Sequence, residues 1–246
     1  MAGYDTVSVL TTSLTSAARN TYGTPAFWLR YFTPSPYTTI NSSQSNANNE
    51  SRAAWSSGGH YMGVVTSPGH PSASQAQGHA DAQATANACY NYWLDVIPVL
   101  LPSNNTLYVW TDLEPGQNLG LGYWTGWALY IDGYQWPGTS ELPLYPCLYC
   151  NPCDVGHNCS TIRQSSAPYC FAIWSFEPQR CGNTVANPPS WAATTCSACA
   201  GYSGTPTQLW QFRIKTQSCP ASVNVDQNLG GGINYANYCF NISSNP

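Results

Sequence analysis

The chain alternates short apolar segments, rich in β-branched and aromatic residues, with longer segments of helical or loop character. This alternation favours parallel βα units, because parallel neighbours in a sheet need a long crossover connection. Eight segments are strand candidates, namely Tyr4–Val9, Ala26–Phe32, Tyr61–Thr66, Leu107–Trp110, Leu142–Leu148, Tyr169–Ser175, Gln208–Ile214 and Val223–Val225. Eight strands in 246 residues predict one α/β domain over residues 1–246, a single (β/α)8 barrel of the TIM type. The alternative is an open doubly wound sheet.

Helix candidates follow the first four strands, at Thr12–Thr21, Glu50–Ser57, Ser74–Trp93 and Gly122–Asp132. The third is the clearest, because Ser72 or Ser74 can cap its N-terminus. Its alanines recur every four residues and predict a ridge that packs closely on the sheet, formed by Ala76, Ala80, Ala84 and Ala88.

Eleven cysteines, ten of them after residue 140, make the second half different. We expect its barrel units to be irregular, with Cys-rich loops within residues 146–200 held by disulfides, and most cysteines oxidised. The odd number leaves at least one thiol unpaired within the chain. A zinc site is the alternative for one cluster, formed by Cys147, Cys150, Cys153, His157 and Cys159. The other cysteines favour disulfides there, and we expect no metal.

Charge is scarce, and this limits the partners of the chain. Only 7% of the residues are Asp, Glu, Lys or Arg, and the net charge is −4. A surface of this kind offers no basic field for nucleic acid or anionic lipid. No apolar run is long enough for a membrane span, and no nucleotide or dinucleotide fingerprint is present. We therefore expect a monomer without a cofactor, secreted into an oxidising compartment after removal of its leader.

The stretch Leu107-Tyr-Val-Trp-Thr-Asp112-Leu-Glu114 places two carboxylates at the end of an apolar strand. Residues two apart in an extended chain point to the same side, so Asp112 and Glu114 should face the barrel mouth together. Barrel enzymes carry their catalytic groups at this end of the strands. The alternative is an acidic helix N-terminus, because Pro115 follows.

Three further acids lie at the ends of strand candidates: Asp5, Glu177 and Asp226. The first and eighth strands of a barrel are neighbours, so Asp5 and Asp226 should face the same mouth as Asp112 and Glu114. Arg30, on the second strand, is a candidate to hold one of these acids ionised. For each of the three acids alone, a structural role is an equal alternative.

Several motifs, in this order, carry a resemblance to a known group: Gly3-Tyr-Asp5, Gly78-His-Ala-Asp81-Ala, Tyr108-Val-Trp-Thr-Asp112-Leu-Glu114, Leu209-Trp-Gln-Phe212 and Val225-Asp-Gln-Asn228. The chain resembles the family 25 glycoside hydrolases, lysozymes of the Chalaropsis type, and the related DUF1906 glycoside-hydrolase-like domains. The resemblance spans nearly the whole chain, but the Cys-rich segment 146–200 departs from the family pattern.

The resemblance implies a retaining glycosidase acting on an aminosugar polymer, most simply a muramidase on peptidoglycan. By position Glu114 would be the general acid, with a pKa raised by apolar neighbours such as Trp110. Asp112 would stabilise the intermediate, or assist a 2-acetamido nucleophile. Substrate-binding residues would be Asp5, Asp226, Glu177, Arg30, Trp110 and Trp210. The alternatives are a glycosidase for another cell-wall glycan and an inactive carbohydrate-binding barrel.

Overall fold

Eight strands close into a barrel in the computed structural model. The structure describes residues 1–32, 47–68, 71–96, 106–114, 116–137, 143–152, 162, 170–193, 207–217, 219–231 and 235–242. The barrel strands are β1 (Ala2–Asp5), β2 (Phe27–Tyr31), β3 (Tyr61–Thr66), β4 (Leu107–Asp112), β5 (Leu144–Cys150), β6 (Ile173–Ser175), β7 (Thr207–Arg213) and β8 (Asp226–Gly230). The helices are α1 (Thr12–Tyr22), α2 (Ala47–Ser56), α3 (Gln75–Asp95) and α4 (Leu121–Gly133). The predicted barrel with helices is confirmed.

The eighth strand differs from the prediction in place and direction. The sheet order is β2-β1-β8-β7-β6-β5-β4-β3, and β2 pairs with β3 to close the ring. Strands β1 to β7 run parallel to one another, whereas β8, which lies between β1 and β7, is antiparallel to both. The sequence predicts a parallel strand that ends before Asp226, but β8 begins at Asp226. An antiparallel strand that begins at the mouth still places its first residue there.

Side chains alternate between two apolar layers. Along β2, Leu29 and Tyr31 face a cluster built from strand residues, and Trp28 faces a second cluster that includes residues of the helices. The first cluster is therefore the barrel interior. It is filled mainly with aromatic rings, among them Trp110 and Trp174, whose centroids are 6.1 Å apart. A packed interior confines any ligand to the ends of the barrel.

Helices α3 and α4 pack closely through glycine. A Cβ on Gly78 would lie 2.0 Å from the Tyr123 carbonyl oxygen, and one on Gly126 would lie 2.0 Å from the Gln75 carbonyl oxygen. The cap is Ser74, whose Oγ accepts a hydrogen bond from the Gln77 N–H at 3.3 Å. The predicted alanine ridge is wrong: Ala76 and Ala80 are exposed, whereas the buried face of α3 carries Ala82, Ala86 and Cys89. The Ala-x-x-x-Ala spacing also suits a solvent-facing stripe, because alanine is a good helix former on any face.

The second half of the barrel is irregular, as predicted. Among the described residues between β5 and β8, Ile162 alone is α-helical. A disulfide joins Cys181 and Cys219, 38 residues apart. Five buried cysteines are thiols, namely Cys89, Cys147, Cys150, Cys170 and Cys239. Cys153, Cys159, Cys196 and Cys199, together with His70 and His157, lie outside the described residues. The expectation of disulfides in the cluster that contains Cys147 is therefore wrong for Cys147, while the expectation that most cysteines are oxidised stays a prediction.

The base of the barrel is covered by the segment that follows β8. A 3-10 turn (Tyr235–Tyr238) leads to β9 (Phe240–Asn241), which pairs antiparallel with the start of β3. Tyr235 is buried in the interior cluster, and its hydroxyl accepts a hydrogen bond from Trp110 Nε1 at 3.1 Å. The mouth is thus the end at which a cavity remains. In the part of the chain that the structure describes, no helix has the length and apolarity needed to cross a membrane.

Candidate active site

A cavity of about 110 Å³ opens at the barrel mouth. Four acids line it, Asp5, Asp112, Glu114 and Asp226, together with Thr6, Val7, Tyr31, Tyr149, Gln211, Ile214, Asn224 and Val225. The prediction that these acids converge on one face of the domain is confirmed. Asp5 and Asp112 end parallel strands, Glu114 follows β4, and Asp226 begins the antiparallel strand.

The β4 end supplies one buried and one exposed carboxylate. Asp112 is buried, and its Oδ2 accepts a hydrogen bond from the Tyr31 hydroxyl at 2.8 Å. Its Oδ1 is also buried and has no hydrogen-bond partner among the described residues. Glu114 is exposed at the rim, where its backbone N–H donates to Gln117 Oε1 at 3.0 Å. The pair therefore combines an accessible acid with a buried carboxyl group, one oxygen of which has no hydrogen-bond partner among the described residues.

Asp5 and Asp226 face each other directly in the ladder between β1 and β8. Asp5 is buried and accepts hydrogen bonds from Asn228 Nδ2 at 2.6 Å and Gln211 Nε2 at 3.2 Å. Gln211 Nε2 also lies 3.4 Å from Asp226 Oδ2. The amide of Gln211 therefore bridges the two carboxyl groups.

A chain of hydrogen bonds holds these amides in place. The Tyr149 hydroxyl donates to Gln211 Oε1 at 2.5 Å, and Trp174 Nε1 donates to Asn228 Oδ1 at 3.0 Å. Because each amide oxygen is occupied by a donor, each amide nitrogen points at a carboxylate. The network therefore keeps the amide nitrogens of Gln211 and Asn228 directed at Asp5.

Burial raises the pKa of every acid in the cavity. The pKa of Asp112 lies well above its usual range, because the group is buried and because Glu114 and Asp5 are near. Burial raises the pKa of Asp5 to about 6 and that of Asp226 to about 8, and the proximity of Asp5 adds to the second shift. Partial burial also raises the pKa of Glu114. A raised pKa lets a carboxyl group hold a proton near neutral pH, as general acid catalysis requires.

Three of the predicted substrate-binding side chains are not among the described residues that line the cavity. Arg30 lies on the outer side of β2 and forms a buried ion pair with Glu50, with Nη2 2.9 Å from Oε1. It does not neighbour the mouth acids, because strand alternation turns Tyr31 inward in its place. Trp110 is buried below the cavity against Tyr235. Trp210 faces outward, with its ring centroid 6.1 Å from that of Trp191.

Glu177 follows β6 toward the mouth, and its backbone carbonyl accepts a hydrogen bond from Ser175 Oγ at 3.1 Å. It is not among the described residues that line the cavity. The Asp-rich end of the barrel is thus built from β1, β4 and β8, without a contribution from the end of β6.

Four polar residues are missing from those predicted to form the site: Tyr31, Tyr149 and Gln211, which line the cavity, and Asn228, which donates to Asp5. A signal for two of them exists in the sequence. Gln211 interrupts the apolar strand Leu209–Phe212, and Asn228 follows Asp226 at the spacing that shares a face. The two tyrosines carry no such signal, because tyrosines in strands are common in the core.

The described residues contain no group of three or more His, Cys, Asp or Glu side chains arranged to hold a metal ion. The acids instead contact amides and phenols. The arrangement can donate a proton from one carboxyl group and place a second carboxylate against positive charge that develops nearby.

Comparisons with known proteins add information on the fold. No family model matches the chain, and no curated protein sequence matches it. One similar solved structure is that of an uncharacterized protein from B. stearothermophilus, with 18% identity, a TM-score of 0.69, and coverage of 97% of this chain and 99% of that chain. A bacterial lysozyme from Streptomyces coelicolor matches with 12% identity and a TM-score of 0.45, over 94% of this chain and 92% of that chain. The first likeness shows that the barrel extends over the full length of another protein.

Proposed function

We propose that the chain is a secreted glycoside hydrolase that cleaves a cell-wall polysaccharide, most simply a retaining muramidase that acts on peptidoglycan. The observation that supports this most directly is the pair at the end of β4, where Glu114 is accessible and Asp112 is a buried carboxyl group in the lining of the same cavity. Glycosidases use two such carboxyl groups in different environments, one protonated and one ionised.

In this proposal Glu114 gives its proton to the glycosidic oxygen as the bond to the anomeric carbon breaks. Its exposure lets it meet a polymer that lies across the mouth, and its raised pKa keeps the proton available. The Asp112 carboxylate, which lines the cavity, stabilises the positive charge that develops at the sugar ring or assists a 2-acetamido group that attacks the anomeric carbon. Asp5 and Asp226 contact sugar hydroxyls.

The cavity chemistry suits an uncharged polyol. Carboxyl, amide, phenol and hydroxyl groups line it, and sugar hydroxyls can both donate to and accept from such groups. Within the described lining there is no Lys, Arg or His side chain that would attract a phosphate or a free carboxylate. A glycan backbone therefore fits better than an anionic substrate.

Incubation with purified peptidoglycan, chitin, cellulose and fungal and plant wall glycans tests the proposal. Mass spectrometry of soluble products should show fragments with a free reducing muramic acid end from peptidoglycan, and NMR of early products should show retention of the anomeric configuration. Products from another glycan alone would favour a different glycosidase on this fold. Binding to a glycan without products from any of them would contradict hydrolysis and favour a carbohydrate-binding barrel.

A further inference from the structure

The mouth cavity concentrates acidic groups without compensating cations. Asp5, Asp112, Glu114 and Asp226 share a space of about 110 Å³, and no described lining residue carries a positive charge. Asp5 and Asp226 are direct partners in the β1 and β8 ladder, a pairing that is destabilising when both side chains carry the same charge. Carboxyl groups in this arrangement cannot all be ionised, so some must hold protons.

The hydrogen-bond donors show which groups keep their charge. Asp5 receives two amide N–H groups, from Asn228 at 2.6 Å and from Gln211 at 3.2 Å. Asp112 receives the Tyr31 hydroxyl at 2.8 Å. Donors of this kind stabilise a carboxylate and favour its ionised form. Asp5, with two such donors, is therefore the ionised member of the acid pair, whereas Asp112 has one donor and a second oxygen that is buried without a partner among the described residues.

Asp226 has weaker support for a negative charge. Gln211 Nε2 lies 3.4 Å from its Oδ2, at the long end of the range for hydrogen bonds, and the Lys215 backbone N–H is a further donor. The Gln211 amide cannot turn fully toward Asp226, because Tyr149 holds its oxygen at 2.5 Å and Asp5 takes its nitrogen. A proton on Asp226 removes the repulsion with Asp5 at the least loss of hydrogen bonding.

We propose that Asp226 functions as an uncharged carboxylic acid that donates a hydrogen bond to a substrate oxygen in the cavity, while Gln211 and Asn228 keep Asp5 ionised. Gln211 is then a positioning residue, because its amide nitrogen lies 3.2 Å from Asp5 Oδ1 and 3.4 Å from Asp226 Oδ2, and so favours charge on Asp5. That the accepting oxygen belongs to a glycan rests on the proposed function, whereas the protonation state of Asp226 does not.

The surroundings of Asp226 support this assignment from every side. Asp5 faces it from β1, Asp112 and Glu114 from the end of β4, and Tyr149 from β5. The two cations that are near in sequence are engaged or exposed: the Arg213 guanidinium donates to the Asn183 and Pro220 carbonyls, and the Lys215 side chain is exposed. Burial and Asp5 together raise the pKa of Asp226 to about 8, whereas the pKa of Asp5 is about 6.

Infrared difference spectroscopy tests the protonation state directly. At pH 7, between the two pKa values, the spectrum of the wild type minus that of Asp226→Asn should show a protonated carboxyl band that shifts in D₂O. This band should disappear as the pH rises through about 8. The matched variant Asp5→Asn should remove a carboxylate band at pH 7 instead. Near-ultraviolet circular dichroism verifies the fold of both variants. Loss of a carboxylate band in Asp226→Asn at pH 7 would overturn the proposal.

A binding measurement tests the donor role. Calorimetry with the tetramer of N-acetylglucosamine should show that the affinity of the wild type falls about tenfold as the pH rises above the pKa of Asp226. This is the effect of losing one hydrogen bond. Asp226→Asn retains a donor that does not titrate, so its affinity should change less with pH than that of the wild type. Equal pH dependence in both proteins would contradict the donor role. A tetramer that does not bind the wild type at all would count against the glycan acceptor and the proposed function, but not against the infrared result.

Discussion

The two halves of the barrel build their shares of the site by different means. In the first half, β1 to β4 alternate with helices α1 to α4, and parallel strand ends deliver Asp5, Asp112 and Glu114 to the mouth. In the second half, Ile162 is the only described α-helical residue, and β8 is reversed. This half still supplies Tyr149, Gln211, Asp226 and Asn228.

The comparison shows that the site depends on strand ends and register, and not on the helical layer. Asp226 reaches the mouth because a reversed strand starts where its parallel neighbours end. We expect the division of labour to follow the same line. The first half carries the reacting groups, and the second half orients them through neutral hydrogen bonds. The following changes test this division, from the largest expected effect to the smallest.

Glu114→Gln should have the largest effect, because it removes the proposed proton donor of the first half. The amide is nearly isosteric but cannot protonate a leaving oxygen, and general acid catalysis contributes about 10²–10⁴-fold. We expect kcat to fall by that factor without a loss of stability, as measured by product release and thermal unfolding. In the wild type, activity should decline as the pH rises through the raised pKa of Glu114. Unchanged product release by the variant would contradict the assignment.

Asp112→Asn should lower kcat by roughly 10²–10³-fold, because an amide cannot balance positive charge at the sugar ring. The matched control is Asp132→Asn on α4, which makes the same chemical change outside the cavity. Steady-state rates of both variants on the same glycan give the comparison. Equal losses in the two variants would indicate a general effect of charge and not a role at the reacting centre.

Removal of the Cys181 and Cys219 disulfide should affect stability in the second half. A loop closed over 38 residues predicts a loss of about 2–4 kcal/mol in the free energy of unfolding for the double Ser variant. Urea unfolding measures the loss, and hydrogen exchange locates it. Faster exchange in residues 179–193 with little change in α3 and α4 is expected. Uniformly faster exchange would mean that the two halves are not separable in stability.

Tyr149→Phe should have the smallest effect, since it removes one neutral hydrogen bond to Gln211. A bond of this kind contributes about 0.5–1.5 kcal/mol, so kcat/KM should fall by no more than about tenfold. The control Tyr145→Phe, on the same strand and with its ring stacked on Phe171, should leave kcat/KM unchanged. A loss as large as that of Glu114→Gln would place Tyr149 among the reacting groups and would break the proposed division between the halves.

Much of the fold could be predicted from the sequence, because the first half follows regular rules. Apolar strand segments and the Ser74 cap each leave a local signal. The direction of β8 left none, since its short polar segment Asp226–Gly230 has no apolar alternation, and only pairing with β1 and β7 defines it as a strand. The face of α3 was mispredicted because glycine contacts with α4 decide it.

The acids of the site could be predicted because each lies at the end of an apolar run. Their hydrogen-bond partners could not, since Tyr31 and Tyr149 read as core aromatics until the strands are placed side by side. Arg30 was misplaced for a related reason: its inward or outward direction depends on the register of β2, which one sequence does not reveal.

The bond between Asp5 and Asn228 joins residues 223 positions apart. On a ribosome, β1 therefore emerges long before the strand that must lie beside it, and the barrel cannot close until β8 has been synthesised. The acid cluster is incomplete throughout that interval. A protein assembled in this order acquires its acid cluster only after β8 has been synthesised, so the proposed hydrolase would be inactive on the cell's glycans until then.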